Sequence, residues 1–101
     1  MNNFRYVVEL YVPLQSCVCN YQHIVDEIFA IMLPYKSFVN FSVKDAASNE
    51  ADELNIIGTT VRIVDLESNK EILRTQRTIK LKTFCREVFE EFKNKSTTVG
   101  V

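Results

Sequence analysis

The chain is short of the residues that several functions require. It has no Trp, two Gly, two Pro, one His and three Cys in 101 residues. Two glycines cannot furnish a Gly-rich phosphate loop, and no such loop, zinc-protease helix or Ser/His/Asp set can be read in the sequence. Three cysteines, an odd number, do not make a disulfide framework, so a reducing cytoplasm is the expected compartment. No apolar run approaches the roughly 18 residues of a membrane span. The start, Met1-Asn2-Asn3-Phe4-Arg5, lacks the charged-then-apolar plan of a signal peptide. Neither sign of charge dominates, with a formal net charge of −1, so composition asks for neither nucleic acid nor membrane as a partner. There is no internal repeat and no low-complexity segment.

What is present suits one compact domain. The 47% hydrophobic content can fill a single core in a chain of this length. The expected organisation is a domain over 1–95 and a flexible tail over 96–101, with fraying from about Lys95.

Residues 4 to 12 are aromatic and β-branched, interrupted only by Arg5 and Glu9, and predict a strand buried on both faces. Pro13 ends it, having no N–H to give a ladder. Tyr21, Ile24, Val25, Ile28, Ile31 and Met32 recur at helical spacing, with Ser16 or Asn20 as candidate cap and Pro34 as the stop. Residues 37–44 predict a second strand, parallel to the first across the helix. A polar loop over 45–50 leads to a short helix over 50–57 that ends at Gly58. Thr59–Asp65 and Lys70–Gln76 predict a hairpin around the turn Leu66-Glu67-Ser68-Asn69. A last helix starts at Thr83, or upstream at Thr78, and runs to about Asn94. Phe84, Val88, Phe89 and Phe92 form its buried stripe, and Arg86–Glu90 an exposed i,i+4 pair. The order β-α-β-(α)-β-β-α is an α/β sandwich around a mixed sheet.

Chemistry concentrates at Leu14-Gln15-Ser16-Cys17-Val18-Cys19-Asn20, between the first strand and the first helix. A helix start favours thiolate over thiol, so one of these cysteines is a candidate nucleophile. A bond between residues i and i+2 would be strained, and strained disulfides are the easily reduced, catalytic or sensing ones. Two other readings stand beside this one. The cysteines could be small half-buried residues with no redox role. Cys17, Cys19 and His23 could together hold a soft metal such as zinc or copper(I), although no fourth ligand is visible in sequence. Cys85, beside Phe84 and one turn before Phe89, reads as a core residue. Arg74, Arg77, Lys80, Lys82 and Arg86 make the later third locally basic, without the interleaved aromatics that single-strand binding wants.

The element order, with Cys17-Val18-Cys19-Asn20 directly after the first strand, resembles the thioredoxin/glutaredoxin-like superfamily. So do the helix carrying Ile24-Val25-Asp26-Glu27-Ile28 and the segment Leu54-Asn55-Ile56-Ile57-Gly58-Thr59-Thr60-Val61. The resemblance spans roughly residues 4–94 and implies a thioredoxin-like sandwich. It implies a thiol–disulfide role for Cys17 and Cys19 toward a protein partner, without a cofactor. In one register Cys17 matches the family's nucleophile and Asn20 its resolving position. In the other, Ser16 replaces the nucleophile and Cys19 matches the resolving cysteine. Thr59 and Thr60 stand where the family has the cis-proline of its substrate groove. The spacing Cys-x-Cys departs from the family's Cys-x-x-Cys and admits an alternative, a non-catalytic interaction module on the same fold. The hairpin's outer strand also offers an edge on which a second copy could pair into a dimer.

Overall fold

The strand formed by Tyr6–Val12, β1, lies inside a four-stranded mixed sheet and is hydrogen-bonded on both sides. The structure, a computed structural model, describes residues 4–13 and 21–99. β2 (Val39–Asp45) runs parallel to β1, and β3 (Thr60–Asp65) runs antiparallel on the other side. β4 (Lys70–Thr75) pairs antiparallel with β3, giving the order β2-β1-β3-β4. β1 is buried on both faces because its alternating side chains enter both the larger core and the smaller one, as its apolar composition allows. Its one charged residue, Glu9, needs a partner, which the sheet supplies as described below.

The two faces are filled differently. Val8, Leu10 and Val12 of β1 join Val61 and Ile63 of β3 under two helical segments on one face. One is α1 (Gln22–Met32), which contributes Ile28 and Met32. The other is the C-terminal helix, made of α3 (Thr78–Phe84), a wide π turn over Cys85–Phe89, and α4 (Glu90–Val99). It contributes Leu81, Cys85 and Phe89. Among the described residues the opposite face carries one short helix, α2 (Asn49–Glu53), whose Ala51 packs with Tyr11 and Ile56 in a small second core.

The first core closes at one end of the sheet in a cluster of rings. Phe89 is fully buried, and its ring centroid lies 4.9 Å from that of Tyr6, 5.4 Å from Tyr35, 5.9 Å from Phe38 and 5.3 Å from Phe84. Tilted and edge-on pairs of this kind add roughly 0.5–1.5 kcal/mol each to the burial itself. Arg5 covers the cluster from outside. Its guanidinium lies over the rings of Tyr6 and Phe92 and pairs with Asp65 at 2.8 Å and Glu67 at 3.0 Å.

Several boundaries differ from the sequence reading, each for a local reason. α1 ends at Met32 and Pro34 enters a 3₁₀ turn over Leu33–Tyr35, as a proline stop requires. Its N-cap is Tyr21, with no side-chain cap bond, and the expected caps Ser16 and Asn20 lie outside the described residues. α2 starts early because the Ser48 hydroxyl accepts from the Ala51 N–H at 3.1 Å. It also stops early, at Glu53, because Asn55 turns left-handed at φ 59°. Gly58 therefore does not cap that helix. Its φ of +72° serves the loop into β3.

The last helix begins at Thr78, the upstream choice, and its backbone stays helical to Val99, through the stretch from Lys95 read as a frayed tail. No Gly or Pro precedes Gly100 to end it. Within it the π turn shifts the angular register, so the expected Arg86–Glu90 pair does not form, and Glu90 bonds the Tyr35 hydroxyl instead. The hairpin carries a bulge. Ile63 pairs with Leu73 but Val64 with Glu71, leaving Ile72 as the extra residue.

Phe89→Ala removes the ring that four others touch. We expect a loss of about 3–5 kcal/mol of unfolding free energy, measured by urea titration, which in a domain of this size leaves little folded protein.

Candidate functional site

Opposite the ring cluster, at the other end of the sheet, the described residues leave a concave surface. There the carboxyl ends of β1 and β4 meet the start of β3, since Tyr11 pairs with Thr60 and Val61 with Thr75. A depression of about 540 Å³ lies there, lined by Asn55, Ile56, Ile57, Thr60, Arg74, Thr75, Gln76, Arg77 and Lys80. A second, of about 360 Å³, adjoins it through Gln76 and Arg77 and reaches His23, Ile24 and Glu27 on the first turns of α1, with Thr78 and Ile79 of α3. Together they form a trough that crosses from the loop before β3, over the end of β4, to the beginning of α1.

Two side chains build the trough by fastening the loop before β3 to the end of β4. Gln76 Nε2 donates to the Ile57 carbonyl at 2.9 Å, and Arg74 Nη1 donates to the Leu54 carbonyl. Thr60, buried at the first position of β3, donates its hydroxyl to the Gly58 carbonyl at 3.3 Å. Large apolar side chains are left at the rim. Ile57 is 83% exposed and Ile79 69% exposed.

Beneath the trough, on the face that carries α2, charges alternate from strand to strand. Glu9 is only 7% exposed at the middle of β1. An unpaired carboxylate there would cost several kcal/mol, at the order expected for burying a charge without a partner. Lys44 of β2 reaches it at 2.9 Å and Arg62 of β3 at 2.7 Å. Lys44 also holds Glu50 of α2 at 2.7 Å, and the Tyr11 hydroxyl sits between Glu50 at 2.9 Å and Glu9 at 3.1 Å. On the other side Arg62 reaches Glu71 at 2.7 Å, and Glu71 accepts from Arg74 at 2.8 Å. The chain of contacts thus runs from α2 across all four strands to Arg74 in the trough. Among the described residues no buried side-chain polar atom lacks a partner.

The network sets the titration of its acids. Burial pushes the Glu9 carboxyl up, but the hydrogen bonds from Lys44 and Arg62 outweigh it and hold the group below its ordinary range. Burial likewise acts on Glu71, and Arg74 and Arg62 bring it down. Burial raises the Tyr11 hydroxyl, and its bonds to Glu50 and Glu9 raise it further, so it stays protonated and donates.

The residues singled out in sequence lie in different places. Thr60 lines the trough, whereas Thr59, half-buried beside it, does not. Cys17, Cys19, Ser16 and Asn20 lie outside the described residues. The ends of their segment are Pro13, just past β1, and Tyr21, just before α1, both at this end of the sheet. His23 is exposed on α1 and shares the smaller depression with Glu27, and among the described residues no group of three or more His, Cys, Asp or Glu could hold a metal. Cys85 is a core residue, as its neighbours implied. Burial, with Glu90 nearby, pushes its thiol up to about 12, so it is inert at neutral pH.

Sequence reasoning treated Arg74, Arg77 and Lys80 as a solvated basic run and did not single out Gln76 or Ile57. The only signal was that run itself, because the loop that completes the trough is brought to it by the hairpin. Among the described residues no helix is long and apolar enough to cross a membrane.

The sign of the acid response follows from the lowered carboxyls. Groups whose folded pKa lies below the ordinary value of 4.5 add stability that is complete above that pH and lost as pH falls through the folded value. The urea midpoint should therefore hold from about pH 7 to 5 and drop below about 4.5. Glu9→Gln should cost about 1–3 kcal/mol at neutral pH, and the gap to wild type should narrow toward about pH 3. A gap of equal size at both pH values would show that the Glu9 charge contributes nothing to it.

Compared with known proteins, no protein-family model matches the chain, and no curated protein matches it in sequence.

Proposed function

We propose that this chain is a protein-binding module on a thioredoxin-like fold, and that the trough at the end of the sheet opposite the ring cluster receives a segment of its partner. The observation that carries this reading is the pair of exposed isoleucines, Ile57 and Ile79, bordering a depression whose walls are already fastened by Gln76 and Arg74. Single exposed apolar residues are ordinary on a protein surface. Two large ones bordering a pre-built concavity are another matter, because burying each would return about 1.5–3 kcal/mol on binding. The order β-α-β-α-β-β-α and the mixed sheet, with a parallel pair followed by a hairpin, support the fold half of the resemblance.

A second reading adds thiol chemistry at the same end, favoured by where Pro13 and Tyr21 anchor the segment that bears Cys17 and Cys19. In it, one thiolate attacks a partner disulfide, forming a mixed disulfide and releasing the partner's other sulfur as thiolate. The remaining cysteine then displaces the partner sulfur. The protein leaves with a Cys17–Cys19 disulfide and the partner as a dithiol, so two electrons pass from protein to partner.

One experiment separates the two readings. Peptides selected from a random library on the immobilised Cys17→Ser, Cys19→Ser protein should shift the amide resonances of Ile57, Thr60, Gln76 and Ile79. Changing both isoleucines to serine should weaken binding by about tenfold or more, with the melting temperature unchanged. Shifts confined to another surface, or none, would overturn the module reading. For the thiol reading, iodoacetamide should label Cys17 or Cys19 with an apparent pKa below the ordinary cysteine value of about 8.5, and Cys85 only after unfolding. Two thiols that titrate like free cysteine would overturn it.

A further inference from the structure

We infer that the partner segment is acidic, and that its carboxylates are held by Arg77 and Lys80. The inference rests on the reading of the trough as a protein-binding site and adds the chemistry of the occupant. Among the described residues the larger depression is lined by Arg74, Arg77 and Lys80 and by no carboxylate. These cations are not equivalent. Arg74 is committed to the fold, since Glu71 accepts from both its Nε and its Nη2 while Nη1 holds the Leu54 carbonyl. Among the described residues the side chains of Arg77 and Lys80 have neither an ion-pair nor a hydrogen-bond partner. They are the charges left over for a ligand.

Their placement also runs against what the fold alone would select. Arg77 is the N-cap of α3 and Lys80 its third residue, and no acid occupies the first turn. A helix start favours Asp or Ser at the cap and Glu at the third position, and it is weakened by cations there. Positive charge is therefore kept at positions where helix stability asks for negative charge. The side chains, not the helix end, supply that charge to the trough.

The same lining decides between kinds of anionic partner. Among the described residues no aromatic side chain lines either depression, so bases would find nothing there to stack on, and the chain as a whole is slightly acidic. Aliphatic side chains line the same depressions, Ile57 with Arg77 and Lys80 in the larger and Ile79 with Arg77 in the smaller. An acidic protein segment bearing an aliphatic residue matches both features. Its carboxylates belong over Arg77 and Lys80, away from Glu27, which carries negative charge at the α1 end of the trough.

The test uses fluorescein-labelled synthetic peptides of about ten residues, alternating Asp or Glu with Leu or Ile, read by anisotropy on the full chain. Two control peptides replace the acids by Ser or by Lys, and a single-stranded oligothymidylate is run alongside. The acidic peptide should bind at least about tenfold tighter than either control, and should weaken severalfold between about 20 mM and 500 mM salt. Arg77→Asp with Lys80→Glu should cut its affinity by about tenfold or more. That double variant installs a capping pair, so its melting temperature should be equal to or above that of wild type, and lost binding cannot be lost folding. Equal binding of the Ser peptide, with shifts at Ile57 and Gln76, would overturn the acidic preference and leave the trough as the binding site. Stronger binding of the oligothymidylate would overturn it in favour of nucleic acid. No binding by any peptide would overturn both.

Discussion

A carboxylate at the middle of the central strand governs how the second face of the sheet is built. Glu9 is buried in β1 with strands on both sides, so it has neither water nor a free edge to relieve it. The solution is lateral. Arg62 stands directly opposite Glu9 on β3, Lys44 reaches it diagonally from beside Tyr11 on β2, and each is in turn held by a second acid, Glu71 or Glu50. Breaking one contact in such a chain exposes the charge of the next residue, which makes the network worth more whole than in parts. It also makes this face largely polar, and among the described residues one short helix, α2, packs on it.

The molecule divides its labour along the strands. At one end the rings of Tyr6, Tyr35, Phe38, Phe84, Phe89 and Phe92 fill the core, and Arg5 seals it from outside. At the other end, above buried Tyr11, Val12, Ile56 and Val61, the polar fastenings of Gln76 and Arg74 shape the trough. Arg74 belongs to both systems, since it ends the charge network and also pins the loop at Leu54. The site is thereby coupled to the most buried charge of the protein through a continuous set of ion pairs.

Much of the fold could be read from the chain because its signals are local. The apolar run over 4–12, the helical spacing from Tyr21 to Met32, Pro34 as a stop and the turn at Leu66–Asn69 each depend on near neighbours, and each reappears in the structure. The misplacements came from single residues with unusual backbone, as at Asn55, or from the π turn that moved Glu90 from Arg86 to Tyr35. The site was less legible for a different reason. Ile57 and Lys80 are far apart in sequence, and only the strand pairing brings them to one trough. Glu9 did carry a sequence signal, a lone acid in an otherwise apolar strand, but its partners lie on other strands and could not be named from it.

The bulge at Ile72 bears on how copies of this chain behave when crowded together. β4 is an outer strand, and among the described residues nothing pairs with its far side. On a regular outer strand the amides and carbonyls repeat in step, and an incoming chain can zip along them. Here the rhythm breaks at the extra residue, and Lys70, Glu71 and Arg74 flank the break with fixed charges. A strand brought alongside stays in phase on one side of Ile72 only, so the open hairpin is a poor seed for fibre growth.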